Sequence, residues 1–153
     1  MSQLADLARP IPPAYIGKND RGMDASDHTV ITQLLHLYVP GWSFEIIEVL
    51  RSDVPEKVTQ KHTYPGGHFV TGCVGRLTVT MDGESVSMDE AGGVELAGMK
   101  DGDGERLKHA ASDALKRCAM RLGLGLHIWA QQSYFLDRSL AKRGDGADHG
   151  SPA

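Results

Sequence analysis

Two cysteines in 153 residues, Cys73 and Cys118, are too few to staple a disulfide scaffold. Their expected state is reduced and core-filling, as in a cytosolic protein. No apolar run approaches the roughly 20 residues that cross a bilayer, so no membrane-spanning helix is expected. The opening Met1-Ser-Gln-Leu-Ala-Asp6 has neither a basic nor an apolar leader region, which leaves secretion unsupported. Excess positive charge is also missing: 16 Lys and Arg face 20 Asp and Glu, for a net charge of −4, which excludes a generic polycation. The seven histidines form no HxxxH or HExxH spacing, and the cysteines are far apart, so no metal is expected. The glycines match neither a P-loop nor a dinucleotide fingerprint, and no cofactor is expected.

What is present is ordinary for a soluble domain, with 41% hydrophobic and 24% charged residues. A chain of this length makes one domain and buries about 68–70% of its unfolded surface. The charge is segregated. Residues 57–81 hold Lys57, Lys61 and Arg76 with two histidines and no acid. Residues 82–105 hold eight acids against Lys100 alone, and residues 106–136 hold Arg106, Lys108, Lys116, Arg117 and Arg121 against Asp113. Two basic zones around an acidic one keep net charge low and still focus positive potential locally.

Residues 1–27 are rich in Pro, Gly and Asp and read as an irregular arm with at most a short helix at Leu4–Ala8. Residues 1–12 of it are expected to be flexible. Val30, Ile31, Leu34, Leu35 and Tyr38 predict a helix from Asp27 or His28, with Asp27 as N-cap. Pro40-Gly41 ends it, and Trp42 to Leu50 reads as a strand. A buried Trp42 would cost about 3–5 kcal/mol on truncation to Ala. Ser52 to Gly67 predicts a second strand or hairpin arm with a basic exposed side.

Phe69 to Met81 is the clearest strand: Phe69, Cys73, Leu77, Val79 and Met81 share one face, and Val70, Val74, Arg76, Thr78 and Thr80 the other. Asp82-Gly83 signals a type I′ hairpin returning through Ser85–Met88. Ala91–Gly104 reads as a mobile acidic loop. A second helix is expected from Glu105 to Leu122, capped by Asp103, with Leu107, Ala111, Ala114, Leu115, Cys118 and Leu122 on its apolar side. After Gly125 a last strand or helical turn packs on the core, and 142–153 form a disordered tail. The fold class is therefore α+β: a helix, then an antiparallel sheet of three or four strands packed on a long helix with a basic flank. The ordered domain spans 13–141.

Cys118 on the helix stripe and Cys73 on the strand face look structural rather than nucleophilic. The acidic loop is a poor place for a general acid–base pair. The segment Ser112-Asp-Ala-Leu-Lys-Arg-Cys-Ala-Met-Arg-Leu-Gly-Leu-Gly125 stands out, because it sets Lys116, Arg117 and Arg121 on a helix anchored by small and apolar residues. Cations at a fixed rise can meet successive phosphates of one strand. An ordinary amphipathic helix with a solvated face is the plain alternative on these residues alone.

That segment resembles the signature helix of the Rad-fifty-two-type single-strand annealing family, in its phage-borne and bacterial branch. Pro13-Ala-Tyr-Ile16, His28-Thr-Val-Ile leading to Tyr38-Val-Pro-Gly-Trp42, and Gly72 to Gly83 are similar to the family's opening, its Gly-Trp turn and its central hairpin. The resemblance covers about residues 13–136. It implies that Lys116 and Arg117 line a groove on the DNA backbone, with Arg121 as the basic residue ahead of the glycines. Arg106, Lys108, Lys57, Lys61 and Arg76 join them as candidate DNA contacts. Thr29 stands where the family has an arginine, and Lys18, Arg21 or the Lys57–Lys61 arm would substitute.

The implied activity is single-stranded DNA binding and annealing in recombination and repair, without bond chemistry or cofactor. The implied partners are single-stranded DNA, further copies in a ring or open helix, and a single-strand-binding protein or recombinase. One rival is a small α+β hydrolase or acyl-transfer enzyme, with His68 or His127 as base and an acid from 82–105. Another is a nucleic-acid-binding scaffold that never anneals. Assembly size separates the enzyme from the ring.

Overall fold

The computed structural model describes residues 2–19, 21–94 and 102–148. Its elements in chain order are α1 (Gln3–Leu7), β1 (Ile16–Lys18), β2 (Asp24–Ser26), α2 (His28–Tyr38), β3 (Ser43–Val54), β4 (Lys57–Val58), β5 (Thr63–Tyr64), β6 (Gly67–Met81), β7 (Glu84–Gly93), α3 (Asp103–Arg121), α4 (Leu126–Ala130) and α5 (Leu136–Asp148). β3, β6 and β7 form a three-stranded sheet in that order, beside the small antiparallel pairs β1–β2 and β4–β5. The fold is α+β, as expected.

The chain organises as two compact units, one of Met1–Ser43, Thr78–Met88 and Ala119–Ala153, the other of Phe44–Leu77 and Asp89–Cys118. In the first unit, α2 starts where the sequence puts it, because the Asp27 carboxylate accepts the Thr29 N–H at 2.7 Å. Its Ile31 and Leu35 are buried. The β6–β7 turn has Asp82 and Gly83 at φ 52° and 83°, the two positive values a type I′ hairpin requires.

Residues 2–12, where a flexible arm is expected, carry a helix and core side chains. Ser2 caps α1, and Leu7, Ala8 and Ile11 are buried. Gln3 bridges two segments, donating to the Tyr38 carbonyl at 3.2 Å and accepting the Asp82 N–H at 2.8 Å. The Tyr134 hydroxyl donates to the Ala8 carbonyl. The β1–β2 hairpin also lies in the stretch that reads as irregular. At the other end α5 carries helix through Asp148, into residues where a disordered tail is expected, and the final residues 149–153 lie outside the described ones.

In the second unit, α3 packs its small side against β6. Cys73, Ala110 and Ala114 are fully buried, with Phe44, Leu107 and Ala111 around them. The approach is close enough that a Cβ on Gly92 would sit 2.1 Å from the Ala110 carbonyl oxygen and 2.4 Å from the Ala114 nitrogen. Only glycine fits there. Both cysteines are buried and unbridged, and burial pushes both thiols up from their ordinary range.

Three expectations change in detail. Val70, on the face of β6 opposite Cys73, is buried, and its N–H donates to the Asp103 carboxylate at 2.9 Å. Asp103 is the first residue of α3, not its cap. β7 runs on to Gly93, so the expected acidic loop is shorter, and its 95–101 part lies outside the described residues. Trp42 is half-buried, its indole N–H donating to His36 Nδ1 at 3.3 Å, so it is no core plug.

Candidate nucleic-acid interface

Lys116 and Arg117 stand side by side near the end of the second unit's part of α3, and the buried Ala114, Leu115 and Cys118 around them turn that helix so that both cations are half-exposed. Among the described residues Lys116 makes no ion pair. Arg117 is braced by the residue one turn earlier: its Nε donates to Asp113 Oδ2 at 3.0 Å. The same oxygen accepts the Gly93 N–H from the end of β7, also at 3.0 Å. A single carboxylate oxygen thus ties the strand end and the arginine together. Ala91, Gly92, Gly93, Val94, Asp113 and Arg117 line a shallow recess there.

The remaining candidates divide sharply. Lys57 and Lys61 are exposed on the β4–β5 hairpin, without an ion pair among the described residues. Lys108 is exposed but pairs with Glu105 at 2.9 Å, which raises the lysine's pKa and lowers the carboxyl's. Arg76 is held by two bonds to Asp89, Nε to Oδ1 at 2.8 Å and Nη2 to Oδ2 at 2.9 Å. The Arg76 hydrogen bond holds the Asp89 carboxyl below its usual range.

Arg106 departs furthest from expectation. It is 3% exposed, with its guanidinium 5.4 Å from the centre of the Phe69 ring. Helical phase put it on the basic flank, but β6 covers that turn of the helix, and the side chain is a packing element of the second unit. Arg121, the last residue of α3, is exposed and belongs to the first unit. Of the substitutes for the arginine missing at Thr29, Lys18 is tied to Asp24. Arg21 is exposed without an ion pair among the described residues, like the Lys57–Lys61 arm.

Sequence reasoning missed the braces. Asp113 was readable as an i, i+4 partner of Arg117. Asp103, whose carboxyl is held low first by the Val70 N–H and then by Arg51, gave no local signal. The bases proposed for an enzyme find no matching acid in the expected stretch. His68 Nδ1 lies 3.0 Å from Asp53, and His127 Nε2 is buried with no partner among the described residues. No group of three or more His, Cys, Asp and Glu able to hold a metal occurs among the described residues. Nor, among them, is any helix long and apolar enough to cross a membrane.

The second unit thus keeps a Lys-Arg pair half-exposed on a helix packed against β6. The family model for the Rad52/22 family double-strand break repair protein matches residues 4–144, and the chain belongs to that family. Membership gives it a general role in DNA recombination and repair. No curated protein matches the chain.

Proposed function

We propose that the chain binds single-stranded DNA through Lys116 and Arg117 and anneals complementary strands as a homo-oligomer. The observation that carries this is the Lys116–Arg117 pair, half-exposed on α3 within a chain of this family. The two cations neutralise successive phosphates and release counterions, while bases stay available for pairing. Pairing then supplies the driving force, so no bond is made or broken and no nucleotide is consumed. Arg121 adds a backbone contact of its own, and Lys57, Lys61 and Lys108 add local positive potential. Arg76 and Arg106 are assigned to the fold.

Self-association is supported by β3, an edge strand with Ile46, Ile47, Val49 and Leu50 all 37–45% exposed. Four neighbouring aliphatic side chains on an unpaired edge mark a surface to be covered. A further copy in a ring or an open helix is the occupant, and a single-strand-binding protein or a recombinase is the partner class beyond it.

The test is the Lys116→Ala, Arg117→Ala double variant, followed by fluorescence anisotropy on an oligo-dT over a salt series and by an annealing assay. The slope of log K against log salt should flatten by about 0.7 for each lost phosphate contact, with little change in thermal stability. Wild-type binding and annealing by this variant would remove the assignment.

A further inference from the structure

The β4–β5 hairpin carries a surface that the α3 assignment does not use. Its strands pair Lys57 with Tyr64 and Val58 with Thr63, so Lys57 and Tyr64, directly opposite, share one face. The four-residue tip is braced. Thr59 N–H donates to the His62 carbonyl at 2.7 Å, and the Thr59 hydroxyl donates to the same carbonyl and accepts the His62 N–H, each at 3.0 Å. This brings the His62 ring edge-on to Tyr64, with centroids 5.4 Å apart. Thr59, Gln60, Lys61, His62 and Tyr64 line an open concavity. From Lys57 to Tyr64 there are two lysines, one histidine, one tyrosine and no acid.

We propose that this hairpin is a base-stacking contact for single-stranded nucleic acid. An unpaired base lies against the Tyr64–His62 pair, and Lys57 and Lys61 take the flanking phosphates. Chemistry selects the occupant. A cationic, acid-free tip recruits a polyanion, and an aromatic pair held at fixed angle offers a π-face that only an unstacked base can use. Duplex DNA satisfies the lysines but not the rings. An acidic peptide likewise leaves the rings without a partner. The inference rests on the single-strand reading above and adds to it a preference for strands that carry bases.

The experiment compares Tyr64→Ala, Tyr64→Phe and His62→Ala in the full chain. Three probes of equal length are used: an oligo-dT, the same backbone made abasic, and a duplex. Tyr64→Ala should weaken oligo-dT binding about five-fold or more with an unchanged salt slope, because stacking and not charge is removed. Abasic and duplex affinities should not move, and Tyr64→Phe should restore oligo-dT binding. Equal loss on all three probes, or no loss on any, overturns the proposal. If an acidic peptide displaced oligo-dT from the wild type but not from Tyr64→Ala, the hairpin would be a protein-docking site and the proposal would again fall. Failure of the wild type to bind any single strand would instead strike the α3 reading. Wild-type binding that responds to Lys116 and Arg117 but not to Tyr64 would strike only the hairpin.

Discussion

Asp113 tests the electrostatic logic of the interface, because two substitutions separate its charge from its brace. Oδ2 accepts from both Gly93 N–H and Arg117 Nε. Asparagine can place its Oδ1 at that point and keep both bonds, so Asp113→Asn should change stability by less than about 0.5 kcal/mol, the worth of an exposed i, i+4 pair. It removes one negative charge beside the proposed strand path. At about 6 Å from a phosphate in high dielectric that repulsion is roughly 0.7 kcal/mol, so single-strand affinity should rise about three-fold at low salt. The gain should vanish at high salt, where screening acts within a few ångströms.

Asp113→Ala removes the acceptor as well. One exposed hydrogen bond and one ion pair together are worth about 1–2 kcal/mol, read as a lower urea midpoint at unchanged m. Arg117 then loses its orientation, so Asp113→Ala should bind less tightly than Asp113→Asn despite equal charge. Anisotropy titrations at two salt concentrations, run beside urea melts, decide it. Weaker binding by Asp113→Asn than by the wild type, or identical behaviour of the two variants, would refute the reasoning.

Other positions give independent checks. Arg106→Ala should lower stability by about 2 kcal/mol, through a lost cation–π contact and lost packing, without altering the salt slope of DNA binding. A flattened slope would return Arg106 to the interface. Gly92→Ala drives a methyl into the Ala110 carbonyl and should cost about 3 kcal/mol, seen as a large fall in urea midpoint; a near-neutral result would mean that β7 and α3 are further apart. Burial pushes the His127 imidazole below its ordinary range, against the opposing pull of Asp137 and Asp24. The unfolded chain therefore takes up a proton first. Stability from this group is complete above about pH 6.5 and falls as pH drops below that value. The thermal midpoint of the wild type should decline between pH 7 and 5.5 more steeply than that of His127→Gln.

The elements with strong local signals were legible. The α2 stripe and its Asp27 cap, the Asp82-Gly83 turn and the α3 stripe from Leu107 to Leu122 each state their own conformation. What could not be read was set by neighbours distant in the chain. Leu7, Ala8 and Ile11 look like an arm beside Pro10, Pro12 and Pro13, and only the segments that cover them make them core. Arg106 has the helical phase of a surface cation, yet Phe69, thirty-seven positions earlier, claims it. Helix periodicity reports which residues share a side, and it is silent on how far the partner sheet reaches around that side.

Charge shows the same limit and gives the interface its logic. Along the sequence, acids and bases fall into separate zones, as though the acidic stretch were a counterweight set apart. In the structure basic and acidic stretches meet: Arg76 of the first basic zone pairs with Asp89, and Arg51, ahead of that zone, pairs with Asp103. Lys108 and Arg117 find their acids within a turn of α3. The pairs at Asp89, Asp103, Glu105 and Asp113 hold strand to strand, strand to helix or the helix to itself. Among the described residues Lys57, Lys61 and Lys116, like Arg21, make no ion pair with a carboxylate. A net charge of −4 does not describe this patch, because the field a strand would meet is set by which charges stand near it. Local placement of lysines that have no carboxylate partner among the described residues, and not net charge, is what would offer a polyanion a cationic place to lie.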